Sequence, residues 1–500
     1  MDYVVAIPSH NRAKTISNKT LQLLNRHNIP HDLIYVFCHS SCLEAYALEL
    51  PPSIKLIESW KGVAQNRMFI SNYFKEGQKI IWLDDDIDEI YELKDGKAKP
   101  LHELNSLIDI AFTNLEKENA GLCGITPTYN PYYMRPTFTQ DLKFCIGQMR
   151  FTINDRFCER RKFEALEDYE TTLKYYFKYN KVLRFNYIGV KANYLTGSGG
   201  MSDTCDRSYE NKKLECQKFA NKYPRYAMIV DKGTRCDIRF KSKHKKDTIQ
   251  TLWIGEMNEL STLAIQSWLC QGYNVDVYTD IENIYDPLLQ DPRITQKDAR
   301  DIMDFKDIDD ILPFSDLWRY NLLYKKGGIW LDADMVLIDQ LPTDDIIISS
   351  EYTMQSGAYK SKLPYVPNIG VLKFPKKTEM LKIIINKINS RRDNARYLDN
   401  MRVFQQVLKN NVLFKSVVYP NVFCPLSWWD AKQAYTQKKY KTKYDVEPLS
   451  NDTMLDNAIG IHLWNNFTYN KWNIDFTNIE LESLYNRLYC YVNNGLKKNY

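Results

Sequence analysis

Twice in this chain a short apolar strand reading Ile-Trp-Leu runs straight into acids: Ile81-Trp82-Leu83-Asp84-Asp85-Asp86, and again Ile329-Trp330-Leu331-Asp332-Ala333-Asp334. A buried strand that ends in carboxylates constrains the fold, because in open α/β sheets ligands collect outside the carboxyl ends of the strands. Asp-x-Asp alone is cheap, and Asp307-Ile308-Asp309 also matches without being assigned a role. Two copies behind the same strand are much harder to reach by accident. In extended chain the i and i+2 side chains leave one face, so each acidic pair is expected to point together, roughly 6–7 Å apart. Hard oxygen donors in that arrangement suit Mg²⁺ or Mn²⁺ bridging to a diphosphate.

The surrounding pattern repeats as well. Tyr3–Pro8 is a short apolar strand, a helix is expected over Thr15–Leu24, and strands follow at Leu33–Cys38 and Lys79–Leu83. The same grammar restarts at Ile249–Gly255, with a helix over Leu260–Gln271, a strand at Asn274–Tyr278, a helix over Phe314–Tyr324 and a strand at Ile329–Leu331. Alternating apolar runs and amphipathic helices predict βαβ units around a mainly parallel sheet, an α/β fold used twice. The chain has 500 residues, and single cores stop growing near about 250–300. The expected division is therefore 1–235, a basic linker over 236–248 without clear period, and 249–500 ending in a helical, Tyr- and Asn-rich tail. The linker reads as a phosphate-contacting arm or as a solvated tether.

Composition removes several classes. With 44% hydrophobic residues the chain is too apolar for disorder. Eleven scattered cysteines without a CxxC pair suit reduced thiols better than a disulfide framework. No run of about 18 apolar residues predicts a membrane-spanning helix, and the first residues lack a signal-peptide pattern, so the cytoplasm is the expected compartment. No GxxxxGK[ST] loop, strand-GxGxxG-helix unit, HExxH or nucleophile elbow occurs. The Gly-rich Thr196–Gly200 could approach phosphate or acceptor, or could be a plain loop. A net charge of +5 is compatible with a polyanionic partner without demanding one.

Phe314-Ser315-Asp316-Leu317-Trp318-Arg319-Tyr320 followed by Gly327–Asp334 resembles the signature of retaining, DXD-containing sugar transferases of the capsular-polysaccharide and initiating-mannosyltransferase type, over roughly 250–470. The resemblance implies a GT-A fold, a nucleotide-sugar donor (a UDP-sugar) and Mn²⁺ or Mg²⁺. It would give Asp316 and Arg319 sugar and nucleotide contacts, Trp253 and Asp332 donor binding, and Asp334 the metal. Ile461-His462-Leu463-Trp464 resembles the segment closing such sites, which makes His462 a further metal ligand; as a lone histidine it also reads as structural.

Ile7–Arg12, Gly62–Arg67, Trp82–Asp86, Asn130–Met134, Asp141–Phe144 and Val182–Asn186 resemble, in that order, the TET-associated glycosyltransferases of phages, over roughly 1–210. That resemblance implies a second GT-A domain and a 5-hydroxymethylpyrimidine in double-stranded phage DNA as acceptor. Arg12, Arg67 and Asp84 would then serve the donor and Asp86 the metal. Asp168, in Glu167-Asp168 of a helix expected over Phe163–Tyr175, would be the general base, although a helical acid pair is also an ordinary solvated face. Two rival readings stand beside this one: a transferase building surface or capsid glycans, and a protein in which one domain only binds substrate.

Overall fold

The computed structural model describes residues 2–192, 208–241, 246–280, 286–304, 311–354, 362–390, 397–438 and 458–493. The Gly-rich Thr196–Gly200 and the incidental Asp307–Asp309 lie outside these described residues. The chain divides into two compact units, Met1–Lys245 and Lys246–Tyr500.

In the first unit, β1 (Tyr3–Pro8) pairs in parallel with β2 (Ile34–His39) and with β4 (Lys79–Leu83), and β2 pairs in parallel with β3 (Lys55–Ser59). Beyond β4 the direction reverses. β9 (Met149–Ile153) runs antiparallel to β4 and to β7 (Leu122–Ile125), and the edge is completed by β10 (Leu183–Phe185) and β8 (Phe138–Gln140), giving the order β3-β2-β1-β4-β9-β7-β10-β8. Successive strand residues alternate faces, and both faces here are covered. Tyr3, Val5 and Ile7 join a core with Leu107, Ile108, Ala111, Phe112 and Leu115 of the helix Leu104–Lys117. Val4, Ala6, Ile80 and Trp82 join Ile70 and Phe74 below the helix Val63–Tyr73. Burial on both sides is why these strands read as unbroken apolar runs.

The helix expected over Thr15–Leu24 forms as two short pieces, α1 (Ala13–Asn18) and α2 (Thr20–Arg26), broken at Lys19. Behind the acidic segment, β5 (Ile87–Lys94) leaves the main sheet for a small one with β6 (Lys97–Pro100) and β11 (Ile188–Ala192). The expected linker opens differently from its sequence reading. Cys236–Phe240 is β13, paired antiparallel with β12 (Ala227–Asp231). Cys236 and Ile238 are buried while Arg239 is exposed, a period of two hidden by the charges. Residues 242–245 lie outside the described residues, and Thr248 already opens the next strand.

The second unit repeats the plan. β14 (Thr248–Leu252) pairs in parallel with β15 (Asn274–Thr279) and β17 (Gly328–Leu331), and β16 (Ile294–Asp298) flanks β15. The antiparallel strands β20 (Tyr365–Phe374) and β19 (Ile347–Tyr352) complete the order β16-β15-β14-β17-β20-β19. In both units the strand that carries the acids therefore lies between the unit's first strand, in parallel, and an antiparallel neighbour. Both folds are mixed α/β sheets in which parallel pairing predominates.

The helix Ile311–Lys326 ends where two glycines turn the chain into β17. Gly327 and Gly328 have φ of +69° and +99°, and a Cβ on Gly327 would sit 2.5 Å from the Lys376 amide nitrogen. Only glycine fits that turn. Within the helix, Trp318 is fully buried against Tyr278 and Trp330, and its Nε1 donates to the Ala299 carbonyl at 3.0 Å. Near the end of the chain Leu484–Asn493 is helical, as its composition suggested. No helix among the described residues is long and apolar enough to cross a membrane.

Trp318→Ala should remove about 3–5 kcal/mol of stability through the cavity and the orphaned carbonyl. Denaturant unfolding of the full chain, followed by fluorescence, is expected to show an early transition for the second unit.

Candidate active site

Each acidic segment departs from the extended geometry expected of it. The strands stop at Leu83 and Leu331, and the acids fall in turns. In the second unit the Asp332 amide donates to Gly370 O at 2.8 Å, and Met335 N returns to Asp332 O at 2.9 Å. This tight turn leads into β18 (Met335–Leu337), which pairs antiparallel with β21 (Gly460–His462), Met335 opposite His462.

That register brings distant residues together. His462 Nε2 lies 3.0 Å from Asp334 Oδ1 and 4.0 Å from Asp332 Oδ2, and one ligand atom from each of the three lies within 4.8 Å of the others. The Asn465 amide donates to Asp334 Oδ2 at 2.6 Å. Burial pushes Asp334 up, but the His462 imidazole together with backbone donors, the Asn465 amide among them, holds the carboxyl below its usual range; burial pushes His462 down, but Asp334 and Cys424 raise it well above the ordinary histidine value. On its other side, His462 Nδ1 lies 3.9 Å from Cys424 Sγ, and the Trp464 ring packs 4.1 Å away.

Two carboxylates and an imidazole form a donor set that Mn²⁺ accepts. The backbone leaves room for it: a Cβ on Gly370 would stand 3.4 Å from both Asp332 Oδ2 and His462 Cε1. A divalent cation therefore fits Asp332, Asp334 and His462.

Arg319 and Asp316 stand behind this triad, one helical turn apart. Arg319 Nη1 donates to Asp332 Oδ1 at 2.6 Å and to Ile369 O at 3.0 Å, Nη2 lies 3.2 Å from Asp316 Oδ1, and the guanidinium stacks over Trp330. Trp330 Nε1 also donates to Asp332 Oδ1, at 2.9 Å. Arg319 thus fixes one face of Asp332 and leaves the other toward His462. Trp253 follows directly on β14, with its Nε1 donating to Glu256 O at 3.0 Å. In the same loop Asn258 reaches Asn465 at 2.9 Å. Two residues escaped sequence reading: Glu351, half-buried and raised by desolvation, and Asn368, whose Nδ2 holds Glu351 at 2.6 Å and whose Oδ1 accepts the Gly370 amide. The available signal was a polar residue inside the apolar run Val366-Pro367-Asn368-Ile369-Gly370.

The first unit gathers its predicted residues differently. Asp84 pairs with Arg67 at 2.8 Å; Arg12 Nη1 bridges Asp85 Oδ1 at 3.1 Å and Asp86 Oδ2 at 3.2 Å; Ser9 donates to Asp85. Arg12 and Arg67, expected at the donor, are thus occupied with the acids. Burial pushes Asp84, Asp85 and Asp86 each up to about 6 despite these arginines.

From Arg67 a line of alternating charges runs inward. Arg67 Nη1 lies 3.0 Å from Glu167, Glu167 lies 2.9 Å from Arg161, Arg161 pairs with Glu159, and Glu159 lies 3.1 Å from Arg150, whose guanidinium stacks on Trp82. Asp168, beside Glu167 in the first turn of the helix Glu167–Tyr179, is pushed up to about 7 by burial and by the Glu167 charge.

Residues 210–353 match the family described as the glycosyltransferase sugar-binding region containing the DXD motif. That stretch includes Asp316, Arg319, Asp332 and Asp334 and ends before His462. Among solved structures the chain is similar to the PaToxG glycosyltransferase, at 15% identity over 41% of this chain and 81% of that one, with a TM-score of 0.25. It is similar to apo GlyE, a glycosyltransferase of Streptococcus pneumoniae TIGR4, at 13% identity over 36% of this chain with a TM-score of 0.23, and spans 46% of the GlyE chain. A transferase mutant with two cysteines replaced by serine matches at 12% identity over 38% of this chain and 90% of its own, with a TM-score of 0.24. No curated protein matches the chain in sequence. The family match gives this chain a sugar-binding DXD region of the glycosyltransferase type and supports a transferase enzyme.

Removing one member of the buried charge line strands its neighbours. Glu159→Gln takes the paired carboxylate from Arg150 and leaves Arg161 with Glu167 alone, and should cost about 3–5 kcal/mol. The expected result is selective loss of the first unit's unfolding transition in calorimetry, with the second unit's transition retained.

Proposed function

We propose that this chain transfers sugar from a nucleotide-sugar, a UDP-sugar, to the hydroxymethyl group of a modified pyrimidine in double-stranded DNA, and that the second unit carries the cation-dependent step. The observation that bears most weight is the convergence of Asp332, Asp334 and His462 ligand atoms within 4.8 Å. Mn²⁺ or Mg²⁺ held there would neutralise charge on the departing diphosphate without proton transfer. The chain's own residues do the rest. Arg319 holds Asp332 in a single orientation through Nη1 and Trp330. Asp316 keeps that guanidinium in place. The loop from Trp253 to Asn258 borders the same edge of the sheet and takes the nucleotide.

The first unit serves as a second GT-A domain. Its strand order around the acidic turn matches that of the second unit, and its sequence resembles the phage DNA-base transferases, which is also what supports the DNA acceptor, with the net charge of +5 in agreement. Asp168 is its general base: with a pKa raised to about 7, it sits where a carboxylate can take a hydroxyl proton near neutral pH.

Incubation of the protein with UDP-sugars, Mn²⁺ and hydroxymethylcytosine-containing duplex DNA, followed by mass spectrometry of the nucleosides, tests this reading. Asp334→Asn should lower second-unit transfer by at least about 10²-fold, and EDTA should do the same. Transfer to oligosaccharide but not to DNA would replace the acceptor, and full activity in EDTA would overturn the role of the triad. Asp168 is active only when ionised, so the first-unit product should rise with pH through about 7 and level off above it. Asp168→Asn should abolish that product, and a first-unit product formed at pH 5 as fast as at pH 8 would exclude Asp168 as base.

A further inference from the structure

The two acidic turns occupy corresponding places in their units, yet three features separate them. The first is the turn itself. In the second unit Met335 N bonds directly to Asp332 O. In the first, the Thr20 hydroxyl stands between the corresponding groups, donating to Asp84 O at 2.8 Å and accepting from Ile87 N at 3.0 Å. The break at Lys19 starts a new helix at Thr20, which places this hydroxyl in the turn.

The second feature is the neighbouring strand. β18 pairs with β21 so that His462 lies opposite Met335, the residue after Asp334. β5 pairs with β11 so that Ala192 lies opposite Ile87, the residue after Asp86. A methyl group stands where the second unit has an imidazole.

The third feature is charge. Arg12 reaches from Asp85 to Asp86, and Arg67 holds Asp84. The three carboxylates of the first turn thereby face two guanidinium groups, and among the described residues only Asp332, Asp334 and His462 bring three ligand atoms within 4.8 Å of one another.

We infer that the chain holds one divalent cation, in the second unit, and that the acidic turn of the first unit takes none because Arg12 occupies the position between Asp85 and Asp86. This rests on the reading of the second unit given above and goes beyond it by denying an ion to the first. The first unit then meets an anionic donor without a bridging metal.

Mn²⁺ alone is the probe. Equilibrium binding to the full-length protein, followed by the electron paramagnetic resonance signal of free Mn²⁺, should give one ion per chain. Asp334→Asn should lose that ion and Asp86→Asn should keep it, each variant being checked for native circular dichroism. Arg12→Gln uncovers Asp85 and Asp86 and should add a second, weaker ion, which keeps the test decisive if Asp86→Asn does not fold. Two ions in the wild type, each removed by one aspartate substitution, would overturn the inference while leaving the second-unit reading intact. No ion, or one that survives Asp334→Asn, would overturn both. An unchanged count in Arg12→Gln would rule out Arg12 as the excluding group.

Discussion

A carboxylate withdrawn from water needs an opposite charge close by, or it takes up a proton. Everything at the two sheet edges follows from how that demand is met. In the second unit, Asp332 is satisfied on one side by Arg319 and Trp330, and Asp334 by an imidazole and the Asn465 amide. Gly370 brings no side chain against the cluster, where a Cβ would stand 3.4 Å from Asp332 Oδ2 and His462 Cε1. In the first unit the demand is met in part, and from inside the protein, with burial still holding the three acids at about 6. Arg12 and Arg67 close on the acids, and Arg67 continues into a line of alternating charges that ends at Arg150 under Trp82. Such a line is stable only when every member is present, since each charge is the desolvation partner of the next.

Much of this was legible in the residues. The Ile-Trp-Leu-Asp strands, the parallel neighbours and the helix containing Asp316 and Arg319 follow from hydrophobic period and motif, and the helix and strand limits in the second unit fall within a few residues of expectation. What escaped has physical causes. Spacing alone suggested that acids two apart stay on an extended strand, but the backbone leaves the sheet at Leu83 and Leu331. Side-chain pairing is invisible in sequence, so the grip of Arg12 and Arg67 on the neighbouring acids could not be read from it. Cys236–Phe240 was read as part of a linker because Asp237 and Arg239 mask the alternation of Cys236 and Ile238. Asn368 and Glu351 carried no motif, and only the register of β19 and β20 brings them together.

The likeness of the units also shows what a fold does and does not determine. Strand order, the turn at the sheet edge and the small second sheet recur in both. The chemistry at the edge depends on a few substitutable positions, such as an alanine or a histidine opposite the strand that follows the acids. Shared architecture therefore says little about what each unit handles.

The Asp334–His462 contact joins residues more than a hundred positions apart in the chain. Closing so long a span restricts the unfolded polymer heavily, yet the entropic cost grows only with the logarithm of its length, about 0.6 kcal/mol for each doubling. Extra residues inserted between β20 and β21 would therefore barely disturb the closure, provided the three paired residues of β21 keep their register. The loops of that span, rather than its core helices Glu379–Asn389 and Tyr397–Lys409, are where this scaffold can take up sequence during divergence without losing its imidazole.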